Sequence, residues 1–181
     1  MRDAPPGTGR PRRAGVEAVV LDAAARLIGD HGYDAASLAD IAAAAGVAKT
    51  TLYRRWASKA DLAVDALIGA LGPFPAAEVE VGEAIGWLAG RIDDPAVREL
   101  LLGLIGEAAR NPDLRALVRE RVRAPYVEGV AAATHTPLER VDLAFDVVVG
   151  SLLHRAAMSG QLDRAALGDV AAIALDVLRR A

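Results

Sequence analysis

The stretch from Ser37 to Lys59 decides the fold of this chain and reads S-L-A-D-I-A-A-A-A-G-V-A-K-T-T-L-Y-R-R-W-A-S-K. Its first part predicts a short helix, because apolar residues recur at helical spacing. These residues are Leu38, Ile41, Ala42 and Ala45. Ser37 caps this helix through its hydroxyl, and Asp40, three residues later, completes a capping box. Gly46 ends the helix, since glycine takes the left-handed conformation at little steric cost.

A second short helix is predicted from about Ala48 to Trp56, with Leu52 and Trp56 on its inward face. Its outward side chains can all donate hydrogen bonds to phosphates or base edges. They are Lys49, Thr50, Thr51, Tyr53, Arg54 and Arg55. Two helices joined by a tight glycine turn, the second with a cationic outer face, form a helix-turn-helix arrangement. The pattern therefore predicts a DNA-reading surface.

This part of the chain resembles the DNA-binding region of the TetR family of bacterial transcriptional regulators. The resemblance rests on S-L-A-D-I-A-A-A-A-G-V-A-K-T-T-L-Y-R-R-W-A-S-K-A-D-L, preceded by the A-A-A-R-L-I-G-D-H-G-Y of a first helix. The glycine turn, T-L-Y-R-R-W and the following S-K-x-D-L are together far more specific than a lone helix-turn-helix pattern. One departure is Ala48, where many relatives carry a serine that caps the second helix. We therefore expect a frayed first turn in that helix.

Composition favours helices over sheets. Hydrophobic residues make up 53% of the chain and aromatic residues only 4%, so the core is built from alanine, leucine and valine. We predict an all-α fold. The absence of cysteine excludes disulfides and thiolate metal sites. The start lacks the apolar core of a signal peptide, and no apolar run reaches membrane-spanning length. These features predict a soluble, intracellular protein, and the resemblance implies that it is bacterial and cytoplasmic.

Charge divides the chain into two parts. Residues 1–60 carry nine Lys/Arg against six Asp/Glu, a net of +3, whereas residues 61–181 carry twelve against eighteen, a net of −6. A basic portion joined to an acidic remainder indicates that one end meets a polyanion. We predict a disordered basic arm over residues 1–13 and a helix-turn-helix DNA-binding domain over residues 14–60. The resemblance implies that residues 61–181 form a regulatory, ligand-binding and dimerisation domain.

Further helices are predicted from their capping signals. The first runs from about Gly15 to His31, and the one after the recognition helix opens at Ser58 with Asp61. Three of the later helices start with a proline that follows a capping residue, which is Asp94, Asn111 or Thr136. In all, five later helices are expected, at roughly 78–92, 95–110, 112–133, 137–159 and 163–180. Pro125 should kink or break the third of these.

The resemblance implies a homodimer that forms through the last two helices, at about 137–159 and 163–180. Both helices are apolar on more than one side, which agrees with an interface; the alternative is that they pack within one subunit. Two recognition helices related by a two-fold axis would read a palindromic operator in successive major grooves, about 34–36 Å apart. The resemblance further implies a repressor that a small-molecule effector releases from this operator.

Candidate DNA contacts follow from the residue types. We assign Ser37, Tyr53 and Lys59 to phosphates, where they set register. The remaining candidates are assigned to base edges or nearby phosphates: Lys49, Thr50, Thr51, Arg54 and Arg55. Three arginines of the basic arm, Arg10, Arg12 and Arg13, are candidates for contacts with phosphates or the minor groove. The alternative for these three is a solvated tail that binds nothing.

The resemblance places a small-molecule pocket in the C-terminal part of the chain. Its candidate lining residues are Trp87, Leu101, Leu104, Ile105, Tyr126, Phe145, His154 and Met158. For the apolar members of this set, ordinary core packing is the alternative. Arg119 is a further candidate, although its charged neighbours favour a solvated face. The acidic C-terminal part favours a cationic or neutral effector.

An enzyme is the competing class of protein, and the sequence argues against it. His31, His135 and His154 lie far apart without the spacing of metal ligands. There is no glycine-rich phosphate loop and no G-x-S-x-G, so no metal or cofactor is expected. A third class is an architectural DNA-binding protein without an effector, which would bind with little sequence preference and a steep salt dependence.

Overall fold

The structure, a computed structural model, describes residues 11–73 and 80–179, with side chains from residue 15 onward. Within these ranges the chain consists of helices and connecting loops, which confirms the predicted all-α fold. The helices are α1 (Pro11–His31), α2 (Leu38–Ala44), α3 (Lys49–Tyr53), α4 (Lys59–Leu71), α5 (Val81–Asp93), α6 (Pro95–Ala108), α7 (Pro112–Val118), a π-helical turn (Arg119–Arg123), α8 (Ala124–Thr134), α9 (Leu138–Ser159) and α10 (Arg164–Arg179). None of those described is long and apolar enough to cross a membrane.

Helix α1 begins four residues earlier than predicted, at Pro11. Proline suits the first helical position, because its φ is already helical and its missing N–H would have no partner there. Residues 11–13 of the predicted arm are therefore helical and not disordered. Residues 1–10, including Arg10, lie outside the described residues, as do the side chains of Arg12 and Arg13.

Two clusters of buried side chains share helices α1 and α4. The smaller cluster, the head core, consists of Val20, Ala23, Ala24, Ile41, Ala42, Leu52, Trp56, Leu62 and Ala66. The larger cluster, the body core, contains residues of α1, α4, α5, α6, α7, α9 and α10. Its most deeply buried members include Ile28, Val64, Leu67, Ile92, Leu100, Leu104, Leu114 and Leu152. Helix α4 thus contributes Leu62 and Ala66 to one core and Val64 and Leu67 to the other. The predicted domain boundary, between residues 60 and 61, falls inside α4, the helix that both cores share.

The kink predicted at Pro125 takes the form of a π-helical turn. Proline has no N–H to donate, and its ring clashes with the carbonyl four residues earlier in a regular helix. The turn over Arg119–Arg123 widens the helix ahead of the proline, and the Ala124 N–H donates to the Arg119 carbonyl, five residues back. The helix predicted over 112–133 is therefore divided into α7, the π-helical turn and α8.

The cap predicted at Thr136 is wrong. Pro137 takes an extended ψ of 136°, so that α9 starts one residue later than the pattern implied and has no side-chain cap. The Thr136 hydroxyl instead lies 3.4 Å from the Thr134 carbonyl, to which it donates. Helix α10, in contrast, is capped by Asp163, whose carboxylate accepts from the Ala166 N–H at 2.7 Å.

Candidate DNA interface and effector cavity

The turn between α2 and α3 is built as the sequence predicts. Gly46 has a φ of +65°, the left-handed conformation expected at the end of α2. The Asp40 N–H donates to the Ser37 hydroxyl oxygen at 3.1 Å, and the same hydroxyl donates to the Asp40 carboxylate. The Ser37 hydroxyl proton, which we had assigned to a phosphate, is therefore already engaged within the cap.

Helix α3 presents most of the predicted outward side chains. Leu52 and Trp56 are buried, with 1% and 4% of their surface exposed, which confirms the predicted inward face. Four candidates are exposed and a fifth, Thr51, is half-buried; the exposed ones are Lys49, Thr50, Tyr53 and Arg54. The N-cap residue, Ala48, makes no side-chain hydrogen bond to the first turn. This agrees with the missing cap noted in the sequence.

Arg55 does not point outward, and its predicted orientation is wrong. Its guanidinium donates to the Glu17 carboxylate on α1 at 2.7 Å, and only 24% of its side chain is exposed. Its Nε is buried without an acceptor among the described residues. The prediction assumed a helix as far as Trp56, whereas α3 ends at Tyr53. Because α3 is shorter than predicted, Arg55 lies beside α1, and its pair with Glu17 connects the end of the recognition helix segment to α1.

Lys59 is also engaged inside the protein. Its ammonium donates to the carbonyls of Tyr33 and Asp34 at 2.7 and 3.4 Å, and it lies 4.2 Å from the centroid of the Tyr33 ring. Burial, followed by nearby carboxylates, raises the pKa of the Tyr33 phenol, so that this ring stays neutral near pH 7. Lys59 thus fastens the start of α4 to the loop before α2, and only its remaining N–H is left for a phosphate.

A set of polar contacts, the polar link, connects the head, which is the helix-turn-helix part of the chain, to the body, which is the part after α4. The link passes through Asp65 on α4. The Trp56 indole N–H donates to the Asp65 carboxylate at 2.8 Å. Arg121, in the π-helical turn, donates to the other oxygen of the same carboxylate and lies 3.9 Å from Asp61. Sequence reasoning missed this link, because Arg121 lies 56 residues from Asp65. The only local signal was the pair of aspartates four residues apart on α4.

The larger, C-terminal part of the chain contains a cavity of about 670 Å³, within the range typical of small-molecule sites. Helices α4 to α10 and the π-helical turn form its mostly apolar wall. Six predicted residues line it: Trp87, Leu101, Leu104, Ile105, Tyr126 and Phe145. The prediction was wrong for His154 and Met158, which are exposed. On α9 the residues Phe145, Val149 and Leu153 point into the cavity. His154 and Met158 lie on another side of that helix.

Three aromatic rings form one part of the cavity wall. The centroids of Trp87 and Tyr126 lie 6.3 Å apart, and those of Tyr126 and Phe145 lie 6.4 Å apart. These spacings fall within the range of favourable aromatic pairs. Burial raises the pKa of the Tyr126 phenol, which therefore stays protonated at neutral pH.

The charged lining of the cavity is mainly cationic. Among the described residues it consists of Arg115, Arg119, Arg123 and Asp146. Arg123 pairs with Asp146 and with Asp142, at 2.5 and 2.8 Å, and these hydrogen bonds raise its pKa further. This lining has the opposite sign to the net charge of residues 61–181, from which we expected a cationic or neutral effector. No cluster of three or more potential metal ligands occurs in the described part of the chain.

Known proteins resemble both the head and the whole chain. Residues 20–66 match the sequence profile of the family described as "Bacterial regulatory proteins, tetR family". An uncharacterized HTH-type transcriptional regulator of Mycobacterium tuberculosis is 30% identical over 170 residues, which span 93% of this chain and 74% of the relative.

Solved structures show the same fold over nearly the whole chain. The fatty acid degradation regulator FadR from Bacillus halodurans superposes with a TM-score of 0.71 at 19% identity, over 97% of this chain and 100% of that one. A TetR transcriptional regulator from Rhodococcus sp. RHA1 superposes with a TM-score of 0.62 at 17% identity, over 93% and 97%. At these identities the likeness concerns the fold alone.

Proposed function

Because this chain belongs to the TetR family of bacterial regulatory proteins, we propose that it is a homodimeric repressor that a small-molecule effector releases from a palindromic operator. As a member of this family it is a DNA-binding transcriptional regulator, a class that is generally not enzymatic. The observation that carries the finer proposal is that an exposed, cationic recognition helix and a mostly apolar cavity are connected through α4.

The proposed DNA contacts are those that remain accessible on α3. Tyr53, with 61% of its surface exposed, is assigned to a phosphate. Base edges or nearby phosphates are assigned to Lys49, Thr50, Thr51 and Arg54. Arg55 is withdrawn from this set because Glu17 occupies its guanidinium. The arginines of the basic arm, Arg10, Arg12 and Arg13, stay as candidates for contacts beside the main site.

The proposed dimer forms through α9 and α10. Both helices bury one side within the protomer and leave large apolar side chains exposed on another, including Leu143, Met158 and Ile173. Gly150 is exposed on α9 and has no side chain to keep a partner helix at a distance. A two-fold dimer of this kind would place two copies of α3 in successive major grooves.

Release of the operator is proposed to act through the π-helical turn. This turn contributes Arg119, Val122 and Arg123 to the cavity wall, while Arg121 between them holds Asp65 on α4. An effector that repositions the turn would therefore act on α4 and, through the Trp56 indole, on the segment that follows the recognition helix α3. Such a change requires that the effector bind the released arrangement more tightly than the DNA-bound one.

The test is selection of bound sequences from a random duplex pool at near-physiological salt. Enrichment of a palindrome is expected, and it would supply the operator needed to screen effectors for release. Enrichment of a single half-site would contradict the dimer but keep the DNA-reading head. Binding without enrichment, with a steep salt dependence, would favour an architectural role and refute the repressor.

A further inference from the structure

The three arginines of the cavity differ in how far their charges are already satisfied. Arg115 donates to the Ala108 carbonyl at 2.9 Å, where it also helps to end α6. Arg123 is neutralised by two carboxylates and its guanidinium lies 5.1 Å from the centroid of the Phe145 ring. Arg119 is exposed, and its side chain makes no hydrogen bond or ion pair with another described residue. One guanidinium at the cavity is therefore left with all its donors available.

The described lining of the cavity has no unpaired carboxylate that could bind a cationic ligand. The single acidic residue among the described lining, Asp146, is held by Arg123 at 2.5 Å. An ammonium group bound here would face three guanidinium groups and would have to compete for a carboxylate that is already paired. An uncharged ligand could fill the apolar space but would leave the Arg119 donors to solvent.

We propose that the effector is an apolar organic carboxylate, whose alkyl or aryl body fills the cavity and whose carboxylate pairs with Arg119. This inference rests on the proposed role of the cavity as the effector site. A planar guanidinium binds a carboxylate through two parallel hydrogen bonds, and such charge-assisted bonds are the stronger class. Arg119 also lies two residues from Arg121, so that an anion captured by the π-helical turn acts on the segment that holds Asp65.

The experiment compares ligands that share a body and differ in charge. Octanoate, 1-octanol and octyltrimethylammonium are titrated into the full chain at pH 7.5, and 2-naphthoate tests an aryl body against an alkyl one. Binding is measured by calorimetry. The location of the ligand is read from Trp87 fluorescence in the Trp56→Phe variant, which leaves Trp87 as the single tryptophan of the chain.

Arg119→Gln is the test variant and Arg164→Gln is its control. The Arg164 side chain is likewise exposed and makes no hydrogen bond or ion pair with another described residue, but it is not part of the cavity lining. We expect at least one of the two carboxylates to bind and to lose about tenfold in affinity in Arg119→Gln. The control variant should bind as the wild type does, and 1-octanol should bind both variants equally.

Two outcomes would overturn the inference, and they separate it from the proposed function. If octanoate and 1-octanol bind with equal affinity and Arg119→Gln changes neither, the carboxylate is not recognised, although the cavity remains a ligand site. If no probe binds or changes Trp87 fluorescence, the effector role of the cavity fails as well. The palindrome selection would still test the DNA-binding part independently.

Discussion

The sharpest test of the link between head and body is the substitution Asp65→Ala. It removes the acceptor of the Trp56 indole N–H, a donor in a side chain that is only 4% exposed. A buried donor left without a partner costs about 1–3 kcal/mol. The pair with Arg121 adds at most about 1 kcal/mol, because the two side chains are 36% and 29% exposed. We expect the free energy of unfolding to fall by about 2–3 kcal/mol.

The control is Asp65→Asn, which keeps one oxygen for the indole and removes the charge together with the oxygen that accepts from Arg121. It should cost about 1 kcal/mol or less. The assay is urea unfolding followed by far-UV circular dichroism at one fixed protein concentration, since the stability of a dimer depends on concentration. The hydrogen bond is then isolated by a double-mutant cycle with Trp56→Phe, which removes the donor and keeps an aromatic ring.

In the Trp56→Phe background, Asp65→Ala should cost about 1–2 kcal/mol less than it does in the wild type. A coupling energy near zero would refute the reasoning, because the two side chains would then contribute independently. A large loss in Asp65→Asn would also count against it, since that substitution keeps the acceptor of the indole and would point to the pair with Arg121 instead.

Further predictions concern the recognition helix and the dimer. Tyr53→Ala should weaken binding to all duplexes about equally in a fluorescence-anisotropy titration; a changed base preference would contradict its phosphate role. Arg54→Gln should weaken operator binding with little change in stability, whereas Arg55→Gln should lower the unfolding midpoint, and the reverse assignment would contradict the geometry. Ile173→Glu should give folded monomers in sedimentation, while Val148→Glu, at a buried position, should unfold the protein. Dimers that persist in Ile173→Glu would place the interface elsewhere.

Features that depend on neighbours within one helical turn were predictable from the sequence. The caps at Ser37 and Ser58 each use an N–H three residues away, at 3.1 and 3.0 Å. Gly46 takes the left-handed conformation that the pattern required. Leu52 and Trp56 are buried because apolar spacing alone identifies the inward side of a short helix. These interactions form within a segment whatever the rest of the chain does.

The candidate cavity residues show which features follow from the sequence pattern and which depend on the packing of helices. Apolar periodicity shows which helices are buried, and six of the eight candidates do line the cavity. It does not show which side of a helix faces another helix and which side faces open space. His154 differs from the cavity-lining Leu153 by a single residue, a rotation of about 100° around α9, and this suffices to expose it.

The sequence by itself determined the all-α fold, the helix-turn-helix and its family, because caps, turns and helical spacing are local. Only the tertiary structure decided which charged side chains remain free for ligands. Arg55 pairs with a residue 38 positions away, Lys59 with a carbonyl 26 away, and Arg121 with a carboxylate 56 away. Such partners meet only when helices dock, and the same docking left Arg119 unpaired at the cavity among the described residues.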